Sequence, residues 1–249
     1  MKLLFFDLET TGTNPGRNGI HQIPGQVVID GIVKESFDFH VQPNPKAAIE
    51  DEVLAVAGVT REQIAKYPAM GTVYRQFVAM LGKYVDKYNS KDKFFLVGYN
   101  NAAFDNQFLR GFFLQNNDKF FGSWFWANSM DVMVLATVYL ANKRTEMENF
   151  KLSTVAATLG VQVDGDSLHN AMYDIELTKA VFDIVTELTF RTSFATMKTL
   201  FLDVMLNDRF VCTLKYKFCP LFPIELDDLK KFIESKRPSL KGKDYRIAF

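Results

Sequence analysis

The sequence has little of three features that mark secreted, membrane or strongly nucleic-acid-coating proteins. It holds two cysteines, Cys212 and Cys219, which are too few for a disulfide framework and fit a reducing compartment. The apolar run at residues 3–6 ends at Asp7, far short of a signal peptide or membrane span. Its 29 basic residues balance 29 acidic ones, so no overall basic field is present. We therefore expect a soluble, cytoplasmic chain with no membrane partner.

What is present is a chain of 249 residues, 48% hydrophobic and 23% charged, which is enough for one large domain with an appendage. The charge is uneven along it. Residues 1–190 carry 17 Lys and Arg against 22 Asp and Glu, whereas residues 191–249 carry 12 against 7. We predict a first domain over residues 1–190 and a basic C-terminal extension of unknown role over residues 191–249.

Hydrophobic periodicity favours an α/β fold. Residues 2–6 have the pattern of a buried central strand, and residues 27–29 and 32–41 flank Asp30-Gly31, a hairpin signal. Further strands are expected at residues 94–97 and 124–129, and helices at residues 49–65, 72–88, from about 103, 132–140, 152–159 and 171–188. This order predicts a mixed α/β sheet covered by helices on both faces.

Two carboxylates stand at the exit of the first strand. Because side chains alternate along a strand, Asp7 and Glu9 point to the same side, and a hard divalent cation would relieve their repulsion. The following Thr10-Thr11-Gly12 predicts a tight turn whose amides a phosphate or sugar could approach. Taken alone, such an acidic pair is also typical of a solvated loop.

Two further motifs lie at predicted helix starts. Asp105 falls in a first helical turn, where it could also simply compensate the helix dipole. His169 and Asp174 would lie roughly 140° apart on one regular helix, so His169 must precede the helix. With Asn170 as the N-cap, both side chains can face one point. Asp131 is interpreted as another N-cap rather than a ligand.

Together, Asp7-x-Glu9-Thr-Thr-Gly12, Asn101-x-x-Phe104-Asp105 and His169-x-Ala171-x-x-Asp174 resemble the three exonuclease motifs of the DEDDh family. That family includes the proofreading exonuclease subunits of bacterial replicative polymerases. The resemblance covers roughly residues 1–188 and implies an RNase H-like fold, with a mixed five-stranded sheet. One departure is Pro24, which lacks an amide donor and puts the start of the second strand in doubt.

The resemblance implies a role for each matching residue. Asp7, Glu9 and Asp174 would bind a first Mg²⁺ or Mn²⁺, and Asp105 a second that Asp7 also bridges. His169 would be the general base. Phe104 would pack either beneath the terminal base or in the core. The other substrate-binding positions are Thr10, Thr11, Gly12 and Asn101. Of these, Thr10 would contact the terminal 3′-hydroxyl together with Glu9.

The function that this resemblance implies is two-metal, 3′-to-5′ hydrolysis of single-stranded DNA ends, releasing nucleoside monophosphates. An exoribonuclease similar to RNase T or oligoribonuclease stays open, as does a polymerase-associated accessory module, and a DNA polymerase is a candidate partner. In residues 191–249 basic residues alternate with Phe218, Phe222, Phe232 and Tyr245, which indicates a packed appendage. Both nucleic-acid contact and a merely solvated basic surface remain open for it.

Overall fold

A computed structural model describes residues 1–165, 170–194, 198–218, 224 and 226–248 of the chain. Its contacts divide the chain into two compact units, Met1–Val185 and Thr186–Phe249. Among the described residues, no helix combines the length and the apolar character that crossing a bilayer requires.

The first unit alternates strands and helices. Its strands are β1 (Lys2–Phe6), β2 (Glu9–Thr10), β3 (Ile20–Ile29), β4 (Ile32–His40), β5 (Phe95–Gly98) and β6 (Met130–Asp131). Its helices are α1 (Asp51–Val56), α2 (Arg61–Ile64), α3 (Met70–Leu81), α4 (Asp105–Gln115), α5 (Phe121–Trp124), α6 (Val132–Tyr139), α7 (Leu152–Thr158) and α8 (Ala171–Phe194), and a 3₁₀ turn spans Ala141–Glu146. The last of these, α8, continues past Val185.

The sheet of this unit is mixed and has six strands, so the expected α/β class is confirmed and the expected count of five is one too low. The additional strand is the two-residue β2, too short to leave a periodic signal. The central β1 runs antiparallel to β3 and parallel to β5, and β6 continues the parallel part. The carboxyl ends of β1, β5 and β6 therefore meet at one edge of the sheet.

Helices cover both faces of this sheet, as the sequence predicts. On one face, Leu4 and Phe6 of β1 belong to a buried cluster with Phe77 of α3 and Phe113 of α4. On the other face, Phe5 makes an edge-on contact with Phe182 of α8, with ring centroids 5.3 Å apart. Because successive side chains of β1 alternate between these faces, the strand is apolar on both faces from Leu3 to Phe6.

Pro24 lies inside β3, so the doubt about the start of this strand is answered by a strand that begins at Ile20. The carbonyl of Pro24 accepts a hydrogen bond from the amide of Asp7 at 3.4 Å. In an antiparallel strand the backbone nitrogen and carbonyl of one residue point to the same side. The nitrogen of Pro24, which carries no hydrogen, therefore faces the gap between β1 and β2, and the hydrogen bonds between β3 and β4 do not need it. The hairpin prediction is confirmed by Asp30 and Gly31, whose φ values of 50° and 81° join β3 to β4.

The prediction of a strand at residues 124–129 is wrong. Its first residue ends the helix α5, Phe125 makes only an isolated bridge with Phe94, and the pairing with β5 begins later, at Met130. The aromatic residues there are buried by ring packing, as in the contact of Phe121 with Phe125 at 4.7 Å, and not by a ladder.

The second unit is a three-stranded antiparallel sheet in the order β8-β7-β9, formed by β7 (Lys198–Leu206), β8 (Arg209–Phe218) and β9 (Tyr245–Ala248). It also contains α9 (Leu226–Lys236) and a 3₁₀ turn at Pro238–Leu240. A separate core joins Cys212 to α9, and Phe232 and Tyr245 pack against it, which confirms a packed appendage. Phe222 and Cys219 lie outside the described residues.

Candidate active site

The first acidic segment leaves β1 on the side of the sheet that faces α8. Leu8 belongs to the core cluster on the opposite side, so the flanking Asp7 and Glu9 are directed away from that core. Pairing of Glu9 with Gln22 in β3 continues the sheet through β2. Both carboxylates are partly buried at the carboxyl edge of β1.

Asp105 reaches the same edge from the loop that follows β5. This loop is organised by the carboxylate of Asp131, which accepts hydrogen bonds from the amides of Asn100 at 3.0 Å and Ala102 at 3.1 Å. The same carboxylate caps α6 through the amide of Met133, so the predicted N-cap is confirmed. At the start of α4, Asp105 is only 4% exposed, and its Oδ1 has no hydrogen-bond partner among the described residues.

Asp174 lies in the first turn of α8. The side chain of Asn170 accepts hydrogen bonds from the amides of Met172 at 3.1 Å and Tyr173 at 3.3 Å, which confirms Asn170 as the N-cap. Asp174 and Asp7 line one pocket of about 170 Å³, whose other walls are formed by Phe6, Tyr99, Leu152 and Thr178. The general base predicted from the sequence, His169, lies outside the described residues, so its role stays a prediction.

The pKa shifts show that these carboxylates act on one another. Burial, and then the charges of Glu9 and Asp174, raise the pKa of Asp7 to about 7. The pKa of Asp105 is raised well above its usual value by burial and by Asp7, and that of Glu9 is raised by burial and by Asp174. The three motifs that are distant in sequence therefore meet electrostatically at one place.

This donor set fits a hard divalent cation. The side chains as they stand do not form a closed group of three or more His, Cys, Asp or Glu around one point within the part of the chain that the structure describes. Nevertheless, Asp105 has a buried oxygen without a hydrogen-bond partner, and burial and neighbouring charges oppose ionisation of Asp7. A bound cation would relieve both unfavourable contributions. Carboxylate oxygens without thiolates favour Mg²⁺ or Mn²⁺ over zinc.

The turn after β2 is held in place by hydrogen bonds from the side chain of Asn18, a residue that the sequence analysis did not identify. Its Nδ2 donates to the carbonyls of Thr11 at 3.3 Å and Ala48 at 3.0 Å and to the Glu50 carboxylate at 3.0 Å. A Cβ on Gly12 would come within 2.2 Å of that nitrogen, which explains the glycine. No periodic or motif signal singled out Asn18, because two of its partners, Ala48 and Glu50, come from a segment about 30 residues away.

The predicted substrate-binding residues occupy different environments. The hydroxyl of Thr10 donates to the carbonyl of Gly12 at 2.8 Å, whereas that of Thr11 donates to Ala48 at 2.7 Å and is fully buried. Asn101 is also fully buried and donates to Asn106 at 3.3 Å. Phe104 is partly buried beside Phe108, with ring centroids 5.0 Å apart. Their roles toward a substrate stay predictions.

Comparison with known proteins now defines the class. Residues 4–182 match the model of a family described as Exonuclease (RNase_T), and the chain belongs to this exonuclease family. It is 29% identical over 177 residues to the DNA polymerase III PolC-type of Mycoplasmopsis pulmonis, covering 71% of this chain and 11% of that protein. It is 30% identical over 186 residues to the DNA polymerase III subunit epsilon-like protein of Rhodobacter capsulatus, covering 73% of this chain and 23% of that protein.

Among solved structures, E. coli exonuclease I in complex with a dT13 oligonucleotide has the same fold. The TM-score is 0.60 at 19% identity, over 83% of this chain and 48% of that one. The chain thus spans less than a quarter of the two curated relatives and about half of this solved structure. The RNase H-like α/β fold and the exonuclease family, both expected from the motifs, are confirmed.

Proposed function

We propose that the first unit is a metal-dependent 3′-to-5′ exonuclease of the DEDDh type. It would act on single-stranded or frayed DNA ends and release nucleoside monophosphates. The observation that carries the proposal is the convergence of Asp7, Glu9, Asp105 and Asp174, from three separate segments, into one set of mutually interacting carboxylates. Four acceptor-only groups at one sheet edge are costly to stability, and phosphodiester hydrolysis with divalent metals is a chemistry that needs them.

In this proposal each residue has a defined task. Asp7, Glu9 and Asp174 would hold a first Mg²⁺ or Mn²⁺, and Asp105 with Asp7 a second. When bound, the ions supply charge stabilisation for the phosphate and for the leaving oxygen. His169 would take the proton of the attacking water. Water oxygen would bond to phosphorus as the bond to the neighbouring 3′-oxygen breaks, and that oxygen would take up a proton to become the new 3′-hydroxyl.

The restriction to chain ends would come from the turn after β2. Thr10 and Glu9 would contact the terminal 3′-hydroxyl, and the fixed backbone of Thr11 and Gly12 would exclude a continuing strand. Support comes from the rigidity of this turn, whose carbonyls and hydroxyls are tied by Asn18 and by the carbonyl of Ala48. A contact residue can discriminate between a hydroxyl and a phosphodiester only if it is held in place.

DNA is the favoured substrate because the curated relatives carry the names of DNA polymerase III proteins and the related solved structure holds a dT13 oligonucleotide. The same names keep a DNA polymerase as a candidate partner, with the accessory-module role as the alternative. An RNA substrate, as for enzymes similar to RNase T, is the other alternative. No described residue reads a 2′-hydroxyl in a way that would decide between them.

The test is digestion of 5′-labelled single-stranded DNA and RNA of one sequence, with Mg²⁺, Mn²⁺ or EDTA. We expect a ladder shortening from the 3′ end of DNA, blocked by EDTA and by a 3′-phosphate. Glu9→Gln should abolish it, whereas Glu52→Gln, the same change at an exposed position of α1, should not. Cleavage that survives EDTA, internal cuts without a ladder, or a fully active Glu9→Gln would overturn the proposal.

A further inference from the structure

The sheet of the second unit has two chemically different faces. Alternate residues of β7, including Leu202 and Val204, are buried against Leu229 and Ile233 of α9. The intervening residues of β7 and their partners on β8 and β9 point to the opposite side. We call this side the outward face, and its members are Thr199, Phe201, Asp203, Met205, Phe210, Thr213, Lys215, Lys217, Arg246 and Ala248.

Two large aromatic side chains are exposed on the outward face. Phe201 is 53% exposed and Phe210 is 61% exposed. The register places Lys215 directly opposite Phe201, with its ammonium nitrogen 5.8 Å from the ring centroid. Lys217 stands opposite Thr199, two residues further along β8. The outward face therefore combines two exposed rings with neighbouring cations, and Asp203 is its one acidic member.

This combination has the chemistry of single-stranded nucleic acid recognition. Exposed rings stack on bases whatever their identity, and lysines beside the rings follow the phosphates. The second unit carries twelve Lys and Arg against eight Asp and Glu, so its charge complements a polyanion. A merely solvated basic sheet would gain nothing from two uncovered phenylalanines, and a protein-docking patch would be depleted of lysine.

We propose that the outward face binds single-stranded nucleic acid. Phe210 of β8 pairs with Met205, which lies four residues after Phe201 on β7. The two rings are therefore offset along the strand direction by about 13 Å. That distance accommodates about four nucleotides at the ~3.4 Å rise of a stacked strand. As a device for holding the strand whose end is cleaved, this inference rests on the proposed exonuclease function. The binding itself can be measured without cleavage.

The experiment measures binding of a labelled 20-nucleotide oligo(dT) and oligo(rU) to the full chain in EDTA, by fluorescence anisotropy across salt concentrations. Phe201→Ala and Phe210→Ala should each weaken binding about five-fold or more, and Phe201→Trp should restore it. Lys215→Gln with Lys217→Gln should flatten the salt dependence by up to about 1.4 in log–log slope. Thermal unfolding and cleavage of a dinucleotide should match the wild type in all of these variants.

A matched control removes the same charge from the other side of the unit. Lys230 on α9 and Lys241 after it are exposed, and their double change to Gln should alter the slope far less. An equal effect of both pairs would mean diffuse attraction and overturn the site. Unchanged binding in the phenylalanine and lysine variants would overturn it as well and leave the face to a protein partner. If cleavage is absent while these binding losses occur, the exonuclease proposal fails and this one stands.

Discussion

Replacing Asp7 by Asn separates a metal-binding cluster from a merely structural group of acids. The substitution preserves the size and shape of the side chain and removes its charge. In the metal-free protein, burial and the neighbouring Glu9 and Asp174 oppose ionisation of Asp7. We therefore expect Asp7→Asn to be more stable than the wild type in EDTA at neutral and alkaline pH, and to lose metal-dependent cleavage.

The magnitude follows from the shift in pKa. The pKa of Asp7 rises from 3.8 to about 7 on folding, and each unit corresponds to about 1.4 kcal/mol, so ionised Asp7 costs up to about 4 kcal/mol. As the pH rises from 3.8 to 7, the unfolded chain has already released this proton while the folded one retains it. The wild type therefore loses stability across that window. The advantage of Asp7→Asn should be complete above pH 7 and vanish below pH 4.

The assay is urea unfolding at pH 4, 6 and 8 in EDTA, repeated at pH 8 with Mg²⁺. Bound Mg²⁺ should stabilise the wild type and leave Asp7→Asn unaffected, which narrows the gap between them. Glu52→Gln, at an exposed position, should change the free energy of unfolding by less than about 0.5 kcal/mol at each pH. Equal stability of Asp7→Asn and wild type at pH 8, or more than about a hundredth of wild-type cleavage in the variant, would refute the reasoning.

Three further predictions concern His169, His21 and Gly12. His169→Ala should slow turnover by ~10²- to 10⁴-fold and remove the acidic limb of the pH–rate profile. Isothermal titration should find the Mg²⁺ affinity of this variant unchanged; a lost affinity would make His169 a metal ligand instead of the general base. Burial lowers the pKa of His21 from 6.5 to about 4. As the pH falls from 6.5 to 4, urea unfolding should therefore show that the free energy of unfolding drops by up to about 3 kcal/mol, and this drop should be absent in His21→Leu. Gly12→Ala should destabilise the protein by about 2 kcal/mol or more. In a thermal double-mutant cycle it should cost clearly less in the Asn18→Ala background, where the contact is absent; fully additive losses would contradict the contact.

The sequence predicted where the carboxylates of the candidate site lie, because these residues stand where local chemistry marks an element boundary. Asp7 follows an apolar strand, and Asp105 and Asp174 begin helices, so their approximate positions could be inferred without tertiary information. Asn170 and Asp131 are caps of the kind that short polar side chains provide. The same local signals predicted the β3–β4 hairpin from two turn residues.

Features that depend on partners distant in sequence were not predictable in this way. The aromatic residues of α5 have strand propensity, but their rings are buried against α4, as in the contact of Phe113 with Phe121 at 5.1 Å. The exposed rings of the second unit were missed too, because strand register decides which aromatic residues face outward. Phe201 and Phe210 are uncovered, whereas Phe232 and Tyr245, singled out by their basic neighbours, pack on the core.

The site itself combines an unfavourable and a favourable part. Burial and neighbouring charges raise the pKa of Asp7 and of Asp105 at the carboxyl ends of β1 and β5, which weakens the metal-free fold. Hydrogen bonds immediately beside them stabilise the fold instead, from Asn18 to the turn after β2 and from the amides of the loop after β5 to the Asp131 carboxylate. These bonds fix the backbone on either side of the carboxylates, so the crowding cannot be relieved by moving the strand ends apart. The repulsion therefore persists in the folded state, where binding of a divalent cation would relieve it.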